Sequence, residues 1–480
     1  MKVFLNAYKY ETEAVIKLFF PIERFEFLPC DENSSDVPDS IVCACTDELY
    51  VSADISGKRT VKTAPLPENE SEYELSLCRL LFVTLSEMTG ITPEWGCLTG
   101  IRPVKKVNAL IREGCDSDTV YERLRDKYLI TRRKSDLAYL TAMHQQDALR
   151  TLDDKSYSLY ISIPFCPSRC SYCSFVSHSI TSRGAKELIP QYVDMLCREL
   201  SDLGEILRDS SMHCDTVYIG GGTPTAIGAD DLYRIMSTAA KSIDLSHIRE
   251  YTVEAGRPDT MTEDKLSAIK DFATRISINP QTLSDSVLRA IGRVHSSEQF
   301  YKAFALARKM GFDNINTDTI AGLPTDTYEG FRATIDGLIA LAPEDITVHT
   351  LTVKRSAALF QGADRKALTA DDVLSDMVNY AFDALTGAGY SPYYLYRQKN
   401  TIGNLENVGY SRDGCEGLYN IYIMEETQDI LACGAGGSTK LTDRSTGKIT
   451  RYFNYKYPYE YISRYDRMTG YKEKLKELGR

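Results

Sequence analysis

The sequence predicts an α/β protein built on a partial (β/α)6 TIM-type barrel of parallel strands, with an N-terminal α+β and helical region before it and a C-terminal α+β region after it. Three observations predict this. Six short β-branched runs between residues 157 and 351 alternate with amphipathic segments of helical length. Strands joined by helix-length crossovers pair in parallel, because a tight hairpin cannot connect parallel strands. Polar and glycine residues gather where these runs end, the edge at which parallel barrels and sheets carry their chemistry. Finally, 480 residues exceed one ordinary core of ~100–200 residues, which leaves chain for the flanking regions.

In chain order, residues 1–64 carry short alternating runs, "KVFLNAY", "RFEFLP", "SIVCACT" and "LYVSADIS", and read as a small α+β unit. Residues 65–150 read as helical, beginning with "LPENESEYELSLCRLLFVTLSEMTG", which has helix-start chemistry and apolar residues at helical spacing up to Gly90. Within this region "CLTGIRPVKKV" is a Gly and Pro turn bearing Arg102, Lys105 and Lys106, either a solvated basic turn or a contact for an anion. The barrel is assigned to 151–355, with strands "YSLYISI" (157–163), "TVYIG" (216–220), "YTVEA" (251–255), "TRISI" (274–278), "NINTDTI" (314–320) and "DITVHTL" (345–351). Helical patterns such as "KELIPQYVDMLCRELSDLGEIL" and "SSEQFYKAFALARKMG" separate them. From 356 to 480 the rhythm fades into a helix near 371–388 and then aromatic and Gly-rich segments, which would cover the barrel mouth.

The strand ends bring one set of residues to that mouth. Cys166, Cys170 and Cys173 follow the first strand, and Gly220, Gly221, Gly222 and Thr223 follow the second. Glu254 ends the third, Gln281 follows the fourth, Asp318 lies in the fifth, and Thr350 and Thr352 end the sixth.

Composition narrows the function classes. A hydrophobic fraction of 43% and a charged fraction of 26% are those of a folded, soluble chain. Charges interrupt the N-terminal segment, and no window approaches the ~18 apolar residues of a membrane span, so a cytoplasmic location is expected. A net charge of −11 argues against a general nucleic-acid-binding surface. Any anionic ligand must then be held by local cations. Thirteen cysteines, an odd number without a secretory signal, do not read as a disulfide framework. Ten are singletons or loose pairs, such as Cys43 and Cys45, and read as buried thiols.

The remaining three sit in "IPFCPSRCSYCSF" with spacing C-x3-C-x2-C. A closed zinc site wants a fourth ligand, for which His178, Cys197 or Cys214 could serve. A redox dithiol would use Cys170 and Cys173 and leave Cys166 unexplained. Three cysteinates could instead bind three irons of a [4Fe–4S] cluster and leave the fourth iron open.

This spacing, with Tyr172 just before the last cysteine, resembles the radical S-adenosylmethionine (SAM) enzymes. The resemblance implies a [4Fe–4S] cluster on Cys166, Cys170 and Cys173 whose open iron chelates SAM. One electron then cleaves the sulfonium to methionine and a 5′-deoxyadenosyl radical that abstracts a substrate hydrogen. "LYISIPFC", "YIGGGTPT", "VEAGRPD", "RISINPQTLSDSVLRAIGRVHS" and "NINTDTIAGLPTDT" are similar to the oxygen-independent coproporphyrinogen III oxidase subgroup. That similarity implies SAM contacts at Tyr160, Gly221, Gly222, Thr223, Glu254, Gln281, Arg293 and Asp318, with Tyr172 near a second SAM position. Each has a physical reason. Glycines admit backbone amides close to a ligand; carboxylates accept from hydroxyl or ammonium groups, and arginine pairs with carboxylate.

The subgroup contains decarboxylating oxidases, haem chaperones and haem methyltransferases. Phe175 stands where the proteobacterial-type oxidases carry a further cysteine. "ENVGYS" keeps Asn407 and Tyr410 of the chaperones' H-N-x-x-Y-W segment, but has Glu406 for its histidine and Ser411 for its tryptophan. "LTGIRPVKK", "QKNTIGNLENVGYS" and "GAGGSTK" look like the coproporphyrinogen dehydrogenase type. The expected substrate is therefore coproporphyrinogen III or a related tetrapyrrole, with an electron donor such as flavodoxin or ferredoxin. Arg183, Lys354, Arg355, Arg397 and Lys399 are candidate partners for its propionates. His295 and His349 read as structural, since no partner for either is visible in the sequence.

Overall fold

The computed structural model describes the chain except residues 22, 32–33, 176, 183, 353–370, 399–401, 444–445, 468–472, 474 and 476–480. It divides into two compact units, one of Met1–Ala142 with Tyr396–Glu406, the other of Met143–Leu395 with Asn407–Arg480.

The first unit contains strands β1 (Lys2–Leu5), β2 (Glu26–Pro29), β3 (Ser40–Cys45), β4 (Glu48–Ile55) and β5 (Lys58–Pro65), in sheet order β2-β1-β3-β4-β5. Helices Lys9–Phe19 and Tyr73–Thr89 supply Val15, Ile16, Phe19, Leu77, Leu81 and Phe82 to one core with Val3, Ile41 and Val51. The strands of the first 65 residues and the helix after them thus share a hydrophobic centre. Cys43 and Cys78 are buried in it, and burial holds the Cys78 thiol up at about 12, as expected of cysteines that act as small apolar residues. Lys106, within helix Val104–Arg112, holds its ammonium 5.0 Å from the centre of the Tyr128 ring.

The later segment of this unit is held by buried polar contacts. Glu406 accepts hydrogen bonds of 2.6 Å from both Trp95 Nε1 and Lys134 Nζ. Arg397 donates to the carbonyls of Leu98 and Asn404 and stacks over Trp95 at 5.2 Å. Its burial lowers the guanidinium pKa to about 10.

The second unit is organised by an eleven-stranded sheet. Its strands are β6 (Ser156–Ile163), β9 (His213–Gly221), β10 (Glu250–Gly256), β11 (Arg275–Ile278), β12 (Ile315–Ala321), β13 (Asp345–Thr350), β14 (Ser391–Arg397), β15 (Glu406–Ser411), β16 (Asp429–Cys433), β17 (Ser438–Thr442) and β18 (Ile449–Phe453). The order is β14-β15-β13-β12-β11-β10-β9-β6-β16-β17-β18. From β6 to β13 every neighbour is parallel, so the six expected strands join through five parallel pairings. A short pair, β7 (Phe165–Cys166) and β8 (His178–Ser179), frames the cysteine loop.

Crossover helices carry the periodicity that predicts them. Ile189–Leu207, entered at Pro190, buries Tyr192, Val193, Leu196, Leu200, Leu203 and Leu207 along one face. Ser297–Lys309 begins with a capping box in which Ser296 and Gln299 satisfy each other's backbone amides.

The C-terminal part is built into the same sheet. β16 pairs in parallel with β6, Leu431 opposite Leu159, and adds a seventh parallel strand that the sequence does not announce. β15 pairs antiparallel with β13 at the other end.

Candidate active site

The β6–β9 register sets Ser162 beside Gly220 and Ile163 beside Gly221, so the cysteine loop and the glycine turn leave the sheet side by side. The backbone stitches them together. Gly222 N donates to Ile163 O at 2.9 Å and Thr223 N to Phe165 O at 2.7 Å. Gly221 adopts φ 111°, a region that favours glycine. At Gly222 a Cβ would lie 2.6 Å from Phe165 O and 3.0 Å from Cys166 Sγ. Glycine here is required by the closeness of the cysteine loop.

The three thiols have different surroundings. Cys166 accepts a contact from Thr223 Oγ1 at 3.6 Å. Burial raises its pKa, against hydrogen bonds from Ser177 and Thr223 that lower it. Cys170 is buried, with Arg257 Nη1 3.8 Å from its sulfur. Burial lifts Cys173 to about 11, opposed by the Phe175 backbone amide.

Two guanidiniums support this loop. Arg257 bridges Asp259 through Nε and Nη2 at 2.8 and 3.0 Å, and also donates to Ser168 Oγ. Arg293 donates to Asn279 O at 2.6 Å and to Tyr172 OH at 3.2 Å, and also reaches Cys170. The structure thus places Arg293 and Tyr172 together against the cysteine loop.

Among the described residues, no three His, Cys, Asp or Glu side chains gather around one point as ligands to a single ion. Cys214, a possible fourth zinc ligand, is buried with its thiol turned to Thr216 O at 3.4 Å. Three thiols carried on one loop and backed by cationic side chains fit a [4Fe–4S] cluster with one open iron.

Deeper in the barrel, Tyr160, Tyr218 and Tyr419 form a stack. Tyr218 and Tyr419 lie 4.5 Å apart, and Tyr160 is 6.1 Å from each. Tyr218 OH donates to Glu254 Oε1 at 2.5 Å. Burial raises the Glu254 carboxyl to about 7, against that hydrogen bond, with the Asp318 charge adding to the rise. Asp318 goes the other way. Burial would raise its pKa, but hydrogen bonds from His349 and Asn316 carry it below the ordinary value. The Asn316 bond measures 2.8 Å and the His349 contact 3.7 Å.

Gln281 has φ 68° and is tied through its backbone to β12, donating to Asp318 O at 2.9 Å and accepting from Ile320 N at 3.0 Å. Its Oε1 is buried without a hydrogen-bond partner. An acceptor in that state is suited to a ligand hydroxyl or amine.

Several expectations change here. His349 does have partners, Asp318 and Asn407; they come from distant strands, which a sequence scan does not juxtapose. His295 is buried with its Nδ1 3.8 Å from Asp259 Oδ1, and burial together with Arg293 and Arg257 lowers it to about 4. Arg397 is withdrawn as a propionate partner, because its guanidinium is buried and engaged with carbonyls. Arg183, Lys354, Arg355 and Lys399 lie outside the described residues.

Sequence reasoning missed Arg257, Tyr218 and Tyr419. Arg257 directly follows β10 and was accessible to the strand-end rule. Tyr419 belongs to helix Leu418–Glu425, far along the chain, and carried no such signal.

This arrangement defines a barrel enzyme of the radical SAM class, and residues 160–338 match the Radical SAM superfamily. The chain belongs to that superfamily and, within it, to the family of the coproporphyrinogen oxidase-like and heme chaperone proteins. It is 37% identical, over 97% of its length and 94% of the relative's, to the oxygen-independent coproporphyrinogen-III oxidase-like protein HemZ of Bacillus subtilis (strain 168). It is 30% identical to the heme chaperone HemW of Lactococcus lactis subsp. lactis (strain IL1403), over 59% of this chain and 69% of that one. The radical SAM coproporphyrinogen III oxidase HemN of Escherichia coli shares the fold, with a TM-score of 0.52 and 21% identity over 68% of this chain and 72% of that one.

Proposed function

We propose that the protein catalyses the oxygen-independent oxidative decarboxylation of coproporphyrinogen III to protoporphyrinogen IX in haem biosynthesis. The observation that carries the reading is similarity to the oxidase-like HemZ over 97% of the chain, far beyond the barrel alone. Cys166, Cys170 and Cys173 would hold a [4Fe–4S] cluster, and Gly221, Gly222, Thr223, Glu254, Gln281 and Asp318 would hold SAM, with Tyr160 beside it. When bound, the cluster and SAM supply a 5′-deoxyadenosyl radical that removes a β-hydrogen from a propionate.

The chain's own residues prepare that chemistry. Arg257 and Arg293 set positive charge beside the Cys170 sulfur. Gly221 and Gly222 let backbone approach the ligand without a Cβ. Asp318, held ionised by His349 and Asn316, would accept a hydrogen bond from a SAM hydroxyl or its ammonium. Glu254 sits near its titration point at neutral pH, so it can accept as carboxylate or donate as acid. The Tyr160–Tyr218–Tyr419 stack lines the barrel with aromatic surface that excludes water. Each of two propionates loses a hydrogen atom, carbon dioxide and one electron to become vinyl, the electron passing to an acceptor. The reading places the reaction in the cytoplasm; all thirteen cysteines are free thiols, and among the described residues no helix is long and apolar enough to cross a membrane.

Haem carriage is the second reading, favoured by the similarity to HemW proteins. Glu406, which replaces the histidine of the chaperone segment, is committed to Trp95 and Lys134, so this position offers no imidazole to a haem iron. Haem methylation is a third possibility within the subgroup.

Anaerobic incubation of the reconstituted protein with coproporphyrinogen III, SAM and dithionite tests the proposal. Successive loss of two carbon dioxides with formation of protoporphyrinogen IX is expected. Stoichiometric haem uptake without turnover would overturn it in favour of carriage, and homocysteine-containing products in favour of methyl transfer.

A further inference from the structure

The three sulfurs of the cysteine loop have unlike donors around them. Cys166 faces the hydroxyls of Ser177 and Thr223, and Cys173 the backbone amide of Phe175. Cys170 faces guanidiniums instead, those of Arg257 and Arg293. It is also the buried one of the three, the other two being partly exposed, so charges set beside it are the least screened by solvent.

Arg257 is pinned at both ends. Directly after β10, its carbonyl accepts from Thr260 N at 3.0 Å and from Thr260 Oγ1 at 2.8 Å. Nε and Nη2 of its buried guanidinium donate to the two oxygens of Asp259 at 2.8 and 3.0 Å, a two-point pairing that fixes the plane of the group. The third nitrogen, Nη1, lies 3.8 Å from Cys170 Sγ and 3.1 Å from Ser168 Oγ. The ion pair carries no net charge, which limits the cost of burying it. Its positive end is turned to the sulfur, while the carboxylate occupies the opposite edge of the guanidinium. Burial would raise the Asp259 carboxyl, but Arg257 carries it below its ordinary value, so the pair is fully charged at neutral pH.

We propose that Arg257 is a positioning residue for reduction: oriented by Asp259, it acts through the Cys170 sulfur to raise the electron affinity of a cluster held by Cys166, Cys170 and Cys173. The inference rests on the cluster reading above. In the step concerned, a one-electron reductant loses an electron and the cluster gains it, its charge falling by one. Nearby positive charge and hydrogen bonds to sulfur stabilise that added electron, and through them a protein sets such potentials. The Asp259 carboxylate acts in the opposite sense. Removing one or the other charge of this single ion pair should therefore move the potential in opposite directions, which a residue that merely braced the loop would not do.

The reconstituted protein, without SAM, is titrated with dithionite in the presence of redox dyes. The reduced cluster is followed by electron paramagnetic resonance, alongside iron and sulfide content. Arg257→Gln should lower the ratio of reduced to oxidised cluster about tenfold at a fixed potential, ~59 mV in a one-electron midpoint, and Arg257→Lys should fall between it and native. Asp259→Asn should raise the same ratio about threefold. An unchanged midpoint in Arg257→Gln at native iron content overturns the proposal, as does a shift of both variants in one direction, which would make Arg257 a brace of the loop. Where Arg257→Gln takes up no cluster, Asp259→Asn decides, and an unchanged or lower midpoint there overturns the proposal. Failure of the native protein to take up iron and sulfide would instead remove the cluster reading on which the proposal rests.

Discussion

Glu254 and Asp318 are two buried carboxyls in one barrel whose pKa values move in opposite directions. Burial drives Glu254 up to about 7 because its hydrogen-bonding neighbour is a neutral phenol, whereas Asp318 has an imidazole and an amide. A carboxyl whose folded pKa lies above its unfolded value stabilises the fold fully below the unfolded value, and that contribution is lost as pH rises through the folded one. For Glu254 the window runs from about 4.5 to about 7. Glu254→Gln in the ligand-free protein should therefore raise the thermal midpoint by ~2–4 °C at pH 8 and leave it unchanged at pH 4, as thermal unfolding across pH would show. The same variant should weaken SAM binding roughly tenfold, because a charge-assisted hydrogen bond contributes ~1.5–3 kcal/mol; calorimetry would reveal a failure to do so. The identities of Glu254 and Asp318 at strand ends were legible in the sequence. Their opposite protonation was not, because Tyr218 and His349 come from other strands.

The glycine turn after β9 exists to let the cysteine loop lie against it. Gly222→Ala should keep the circular-dichroism signature of the fold yet at least halve iron and sulfide content after reconstitution, since the new Cβ displaces Phe165 O or Cys166 Sγ. Cys173→Ala should abolish iron retention, while Cys214→Ala, which removes a buried thiol remote in role, should retain it. Equal iron loss in both cysteine variants would refute the assignment of the loop. At this scale the six parallel strands and their helices were readable, because β-branched runs and helix-period segments alternate within one continuous stretch. β16 was not readable. "DILAC" follows only the short helix Leu418–Glu425, and its partner β6 lies more than 250 residues earlier.

In the first unit, a late segment joins an early core through the Trp95, Lys134 and Glu406 contacts. Lys134→Met would leave a buried carboxylate without its cation, and breaking a buried pair this way costs ~3–5 kcal/mol. Urea unfolding should show that loss, and adding Glu406→Gln should recover most of it; two additive losses would mean that the pair is not coupled. Arg275 and Asp345 make a second buried pair, between β11 and β13, in which burial pushes Asp345 up to about 6 despite the guanidinium. These pairings span 272 and 70 residues, and no local pattern in either partner's neighbourhood declares them.

Spacing within a few residues and periodicity along one stretch were enough to locate the cysteine loop, the parallel strand succession and the residues at the strand ends. Tertiary structure alone decided which charges meet. It committed Arg397 to backbone carbonyls, gave His349 its acid, set Arg257 beside Cys170 and inserted β16 into the sheet. Solvation and pairing in a folded chain depend on neighbours remote in sequence, and the free energy of a buried charge is set by those neighbours.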